Sequence, residues 1–350
     1  MRGMTRRGAR GAAIGILALA ILGFGVWGTL AVWFRSPLGP ALQAPAAVAW
    51  ALLSLAALAV LLLSSRRWTA VAIYALAIAA LLGWWSTIHP SNHRDWAVDV
   101  SRPATGEITG NRLVVRNVRN FDWRTEADMT PRWEERSYDL DKLVSVDLYA
   151  DYWAGEAIAH TIVSFGFADG TYLAWSIELR RRQKQAFSAL AGFFKESELI
   201  YIAADERDAI RLRTNIRHED LRLYRLKVPA ATARGFLEAY VAEANALAAK
   251  PVWYNTLTSN CTTLVFRMAK LVEPGIPFDW RVLLSGYFPA YAYDRGALDT
   301  SLPFAELARR SRISQRAIEA DDAPQPLFSE LLRVDIPGIA PCERCVAGGS

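Results

Sequence analysis

Tyr254-Asn-Thr-Leu-Thr-Ser-Asn-Cys261-Thr-Thr-Leu-Val-Phe266-Arg267 runs from a string of helix-capping residues straight into an amphipathic pattern. The polar residues Asn255 to Asn260 can cap a helix, and Leu264, Val265, Met268 and Leu271 then recur at helical spacing. Cys261 is therefore expected in the first turn. The partial positive charge and unpaired N–H groups there favour an anion, lower a thiol's pKa and can hold an oxyanion. The alternative reading is a buried cysteine packing as a small hydrophobe.

Upstream, Ala157 to Phe167 and Thr171 to Leu179 both read as strands, with Ala168-Asp169-Gly170 as the tight turn of a hairpin. With a three-residue loop, His160 faces Glu178 and Ser176 is its diagonal neighbour on the same face, so an imidazole meets a carboxylate. A two-residue loop would pair His160 with Leu179 instead and turn Glu178 to the other face. The plainer reading makes His160 a core histidine and Glu178 a strand end paired with Arg180, Arg181 or Arg182.

The 350 residues are 52% hydrophobic with a mean hydropathy of +0.11, and the excess lies at the N-terminus. Ala13 to Phe34, Ala46 to Leu63 and Trp68 to Ile88 are apolar and uncharged. Each is about 20 residues long, as a helix crossing ~30 Å of hydrocarbon must be. Arg2, Arg6, Arg7, Arg10, Arg66 and Arg67 mark the cytoplasmic ends, which puts the N-terminus inside and the chain from about His89 outside. In a bacterium this is a multi-pass inner-membrane protein with a periplasmic domain. The net charge of +5, from 40 basic and 35 acidic residues, rests largely on those cytoplasmic arginines. No basic run with interleaved aromatics accompanies it, so nucleic acid is excluded as a partner. Of the three cysteines, Cys342 and Cys345 form a lone Cys-x-x-Cys read as a tail disulfide rather than a metal site, and Cys261 is left unpaired. No cofactor or metal is expected.

The reading divides the chain into a membrane anchor over 1–92, a linker and first strand over 93–116, a catalytic domain over 117–297 and a polar tail over 298–350 with one helix near Pro303 to Arg309. Further strands are expected over Arg112 to Val118, Leu143 to Tyr149, Leu199 to Ala203 and Asp220 to Leu226. Amphipathic helices are expected over Arg181 to Phe194 and from Pro229 to Pro251. Asn120 to Trp133 reads as a long loop whose Trp123 and Trp133 line a groove or pack in the core.

Asn120-Phe-Asp-Trp123, Ala159-His160, Ser164-Phe-Gly-Phe167, Ser176-Ile-Glu178 and Tyr254 to Thr263 together resemble the bacterial family named after the N-terminal periplasmic domain of Lnb, the lipoprotein intramolecular transacylase. The resemblance covers about Asn117 to Tyr293, and its Asn-Cys pair also looks like the Asn-Cys box of lecithin retinol acyltransferase and other permuted NlpC-type thiol enzymes. It implies an α+β, permuted papain-like domain behind three transmembrane helices, since His before Cys reverses the order in papain. By that analogy Cys261 is the acyl-accepting nucleophile, His160 the general base, and Ser176 or Glu178 the group that orients the ring. Asn260, Thr262, Tyr254 and Trp123 would support substrate or oxyanion. The resemblance implies acyl transfer from membrane lipids or lipoproteins, with a peptidase or amidase acting on cell-wall peptides, or a non-catalytic scaffold, as the alternatives.

Overall fold

The computed structural model describes residues 2–36, 38–186 and 188–340. They form two units: the chain up to Pro90 together with Ser188–Glu196, and the remainder. Cys342 and Cys345 lie outside the described residues.

In the first unit, α1 (Arg2–Arg35), α2 (Pro40–Leu63) and α3 (Arg67–Ser86) are long and apolar enough to cross a membrane. Leu19 and Leu76 are more than 70% exposed, which only an apolar surrounding makes favourable. Within the unit, Ile21, Ala57, Leu61 and Tyr74 form a small core, and the Tyr74 hydroxyl meets Ser54 Oγ at 2.9 Å. Small residues let α1 and α2 approach closely. A Cβ on Gly28 would overlap the Trp50 ring, and one on Gly25 would come within 3.0 Å of the Ser54 Cβ.

The expected amphipathic helix over Arg181 to Phe194 does not form; only Ala191–Phe193 makes a short 3-10 turn. Its apolar residues serve the membrane unit instead. Phe194 stacks on Phe34 at 5.4 Å, and Lys195 Nζ donates to the Trp85 carbonyl at 2.8 Å.

The second unit is an α+β domain. Its strands are β1 (Thr105–Thr109), β2 (Arg112–Arg119), β3 (Asp122–Trp123), β4 (Met129–Thr130), β5 (Trp133–Asp139), β6 (Leu143–Tyr152), β7 (Ala159–Phe167), β8 (Tyr172–Arg180), β9 (Glu198–Ala204) and β10 (Asp220–Arg225). Its helices are α4 (Glu206–Arg211), α5 (Ala230–Ala249), α6 (Cys261–Val272), α7 (Phe288–Asp294), α8 (Phe304–Arg310), α9 (Ser314–Glu319) and α10 (Leu327–Leu332). The main sheet runs β1-β2-β9-β8-β7-β6-β10, with β5 also on β2, and β3 and β4 form a separate two-stranded ladder. Where the sequence reads as one loop from Asn120 to Trp133, this small hairpin and the start of β5 intervene.

Both faces of the sheet are covered. Val163, Phe165, Trp175 and Tyr201 point to one face and pack with Phe236, Leu237 and Tyr240 of α5 and Leu264 and Val265 of α6. Ile162, Ala174, Ile200 and Leu223 point to the other, against Ile210, Ala317, Phe328 and Leu332. This explains why β9 is buried along its whole length and carries no alternation. It also corrects the reading of the C-terminal stretch as a polar tail. Up to residue 340 it forms α8, α9 and α10, and its sparse apolar residues cover the sheet's second face while Arg333 is buried against Asp147 and Glu206, 2.7 Å from each.

The β7–β8 hairpin turns through Ala168-Asp169-Gly170, where Gly170 takes φ 87°. Pairing follows the three-residue register from Gly166↔Tyr172 to Ile162↔Ser176 and then stops. Beyond that point β7 stays paired with β6 through Tyr152↔Ala159, and β8 with β9 through Arg180↔Glu198. The sheet is therefore split between the ends of β7 and β8, and the site is built in the split.

Candidate active site

Asn260 starts α6 and fixes its first turn. Its Oδ1 accepts from the N–H groups of Thr262 at 3.0 Å and Thr263 at 2.8 Å, and its own N–H donates to Thr263 Oγ1 at 3.0 Å, a complete capping box. The amide Nδ2 donates to the Thr256 carbonyl at 2.7 Å. Asn260 thus sets the helix start through its Oδ1 and one of its two amide hydrogens. The Cys261 N–H has no hydrogen-bond partner among the described residues, so the first-turn donor beside the sulfur remains open.

Cys261 is 8% exposed, and the His160 ring and the Thr161 backbone N–H lie close enough to its sulfur to favour the thiolate. That N–H is available because β7 has lost its β8 neighbour at this point. Below the sulfur, Thr262 Oγ1 lies 3.8 Å away and shares a 2.8 Å hydrogen bond with Thr161 Oγ1, tying α6 to β7.

His160 Nε2 lies 2.7 Å from Ser176 Oγ, and that hydroxyl donates to Glu178 Oε1 at 2.6 Å. With its proton given to the carboxylate, the Ser176 oxygen accepts from the ring N–H. Glu178 Oε1 is also 3.2 Å from His160 Nε2. Both residues left open as the orienting group therefore contact the ring nitrogen, in series. Their commitment to Nε2 leaves Nδ1 for the sulfur.

Charges follow from this arrangement. Burial alone lowers the His160 pKa, but the Glu178 carboxylate and the sulfur outweigh it and push it up to about 10. Burial raises the Cys261 thiol, yet His160 and the Thr161 and Thr262 donors bring it below its ordinary value. Burial likewise opposes ionisation of Glu178, and His160 and Arg213 overcome it, holding the carboxyl well below the usual range. These shifts all favour a thiolate–imidazolium pair backed by a carboxylate, the form in which a cysteine is reactive.

Tyr254 packs beside this cluster, where burial and the charges on Cys261 and Glu178 raise its phenol pKa. Trp123 does not join it. Its side chain is 2% exposed, its indole donates to Asp208 Oδ1 at 3.0 Å, and it clusters with Phe121 and Leu212. Of the expected support residues, Thr262 adjoins the sulfur, Tyr254 packs nearby within reach of its charge, Asn260 caps the helix that carries it and Trp123 is core. Among the described residues no three His, Cys, Asp or Glu side chains gather as a metal site.

Next to the site, Ser285 Oγ accepts from the Ala159 N–H at 2.9 Å and the Gly286 N–H donates to the Ala157 carbonyl at 3.1 Å. This pins the 280–287 segment beside the end of β7, and Trp280, Leu283, Leu284 and Tyr287 stand exposed on it. One turn along α6 from the thiol, Val265 and Phe266 wall an apolar cavity of about 150 Å³ with Leu148, Val163, Phe236 and Tyr291. A dry cavity of about that size binds a small hydrocarbon in other proteins.

The coupled charges give a pH dependence of stability. His160, raised to about 10, contributes stability that is complete below its unfolded value and is lost as pH rises through 10. Cys261, depressed, contributes stability that is complete above its unfolded value and is lost as pH falls through the folded one. Above both the folded thiol value and about pH 6.5, and up to about pH 8.5, the pair holds one proton both folded and unfolded, so the two trends cancel there. The melting-temperature gap between wild type and Cys261→Ala/His160→Ala is expected to stay level across that window and to shrink toward pH 10. A gap unchanged at pH 10.5 would show that the two groups are not coupled.

The α+β domain sets a cysteine beside a histidine whose far nitrogen meets a serine and a glutamate, and in sequence it follows three helices long and apolar enough to cross a membrane. Residues 129–286 match the family model described as the Lnb N-terminal periplasmic domain. No curated protein and no solved structure matches the chain. The match and the three apolar helices together fit a membrane-anchored protein with a domain similar to a periplasmic one.

Proposed function

We propose that the protein is a thiol acyltransferase or hydrolase anchored in the bacterial inner membrane, with its N-terminus cytoplasmic and its α+β domain, a permuted papain-like fold, on the periplasmic side. The observation that carries this is the contact of the Cys261 sulfur with His160, whose far nitrogen is held through Ser176 by Glu178. In the reaction the thiolate adds to an ester carbonyl, and the Cys261 N–H faces the developing oxyanion. His160 gives its proton to the departing alcohol. The resulting thioester passes to an amine or water, whose proton returns to His160.

The apolar surroundings favour acyl chains of lipids or lipoproteins over peptide stems. Trp280, Leu283, Leu284 and Tyr287 flank the site and the cavity walls are mostly apolar, with Thr232, Glu273 and Arg295 the exceptions, whereas a peptidase acting on charged cell-wall stems needs more polar walls. Mass spectrometry of the purified chain after incubation with native membranes should show Cys261 carrying an acyl group in a hydroxylamine-labile bond. The adduct should be absent from His160→Ala. Turnover of cell-wall peptides with no acyl adduct would replace this reading with the peptidase one.

A further inference from the structure

At the split in the sheet, nothing in the backbone holds the end of β8 against the end of β7, yet His160 on one must stay in contact with Glu178 on the other. The pairing between the strands ends at Ile162↔Ser176, two residues short of both. The link is supplied from outside the sheet. After α4 the chain makes one π-helical turn, Leu212–Ile216, a form that recurs at functional sites. That turn presents Arg213, which is 7% exposed. Its Nη2 donates to Glu178 Oε1 at 2.8 Å and its Nη1 to Asp151 Oδ2 at 2.6 Å.

Asp151 lies on β6 and is the direct partner of His160 in the β6–β7 ladder. One guanidinium therefore links a carboxylate on β6 to one on β8, past the strand that carries His160. A lysine cannot do this, because its single ammonium lacks the planar fork. The turn is itself anchored: Thr214 Oγ1 donates to the Ile210 carbonyl at 2.9 Å and Asn215 Nδ2 to the Ala317 carbonyl at 3.0 Å. Glu219 completes the surroundings, 3.7 Å from Arg213 Nη1. Its Oε2 and the Oδ1 of Asp151 are both buried without a donor among the described residues, so a proton between them satisfies both. Consistent with this, burial and Asp151 push the Glu219 pKa up to about 7.

We propose that Arg213 is a positioning residue that ties Glu178 to Asp151 across the open end of the β7–β8 hairpin and so keeps the carboxylate and Ser176 aimed at His160 Nε2. It touches neither the sulfur nor substrate and acts through Glu178. The proposal rests on the thiolate reading of Cys261 given above. A role through charge alone predicts the opposite effect, since a cation close to His160 disfavours the imidazolium and removing it would strengthen the ion pair.

The test is the pH profile of Cys261 alkylation by iodoacetamide in the full-length, detergent-solubilised chain, with Cys342→Ser and Cys345→Ser in every variant. Arg213→Met is expected to lower the rate at pH 6 to 7 by about tenfold, one unit of thiol pKa, and to match wild type above pH 10, where both are fully ionised. In a Glu178→Gln background the same substitution should change the rate less than twofold. An unchanged or raised rate at pH 6 to 7, or a tenfold loss that persists in Glu178→Gln, overturns the proposal. Should Arg213→Met alone not fold because it leaves Asp151 unpaired, Asp151→Asn/Arg213→Met removes both charges and is expected to show the same tenfold loss. A wild-type profile that rises only above about pH 8.5 overturns the thiolate reading along with this one. A normal wild-type profile with an unchanged variant overturns this one alone.

Discussion

His160→Ala is expected to slow alkylation of Cys261 at pH 7 by about 30- to 100-fold. In the wild type the imidazolium, the Thr161 N–H and the Thr262 hydroxyl keep the sulfur ionised below its ordinary range. Without the ring, burial dominates and the thiol returns to about 8.5 or higher, so that only a few per cent is thiolate at neutral pH. The loss should fade as pH is raised, because above the thiol pKa both proteins carry the same nucleophile. Stopped-flow alkylation across pH 5 to 10 reads this directly. A variant that labels as fast as wild type at pH 7 would mean that the thiolate does not depend on His160, and the dyad would have no catalytic meaning. Cys261→Ala should abolish both labelling and acyl capture, with no change in the far-ultraviolet circular dichroism of the domain.

Arg333→Met should have the largest effect on stability, a loss of about 3 to 5 kcal/mol. Arg333 comes from the segment after α10 and is buried, with Nη2 2.7 Å from both Asp147 Oδ2 and Glu206 Oε1. Asp147 keeps a second partner in Arg225. Glu206 keeps only hydroxyl donors, from Tyr149 at 2.9 Å and Ser164 at 2.5 Å. Its carboxylate would be left buried with no countercharge, the costly way to break an ion pair. Adding Glu206→Gln should recover part of the loss. Urea denaturation followed by circular dichroism gives the value, and a change under 1 kcal/mol would show that the C-terminal helices contribute little to the domain. The same substitution should leave Cys261 alkylation in the folded protein unaltered, because this cluster and the thiol lie on opposite faces of the sheet.

Local signals in the sequence were enough for those parts of the site that depend on neighbours in the chain. Asn260 and Thr263 specify the start of α6, and with it the place of Cys261 in the first turn. Ala168-Asp169-Gly170 specifies a three-residue hairpin, and alternation along the strands then puts Ser176 and Glu178 on the His160 face. Uncharged apolar runs were equally plain in the membrane helices, where length and composition alone answer the question.

Other parts were hidden because their cause lies far along the chain. The 188–196 excursion looked amphipathic for a helix, but its aromatic residue Phe194 found Phe34 as a partner, and tertiary packing overrode local propensity. Trp123 was legible as a large apolar residue in a loop and nothing more; Asp208, 85 residues away, is what draws its indole into the core. The C-terminal stretch averages as polar because its few apolar side chains are spaced among charges, and only the uncovered face of the sheet gives Phe328 and Leu332 something to bury against.

The sequence by itself determined the three spans, the α+β character of the domain behind them, the cap beneath Cys261 and the hairpin register that groups His160, Ser176 and Glu178, since each of these is set by residues within a few positions of one another. The tertiary structure alone decided that the hairpin opens where it meets α6, so that a sulfur from one face reaches an imidazole on the other. It also decided that an arginine from a π-turn closes the gap. Splaying two strands gives up backbone hydrogen bonds, and that cost is met only by groups brought in from distant elements, which no local pattern records.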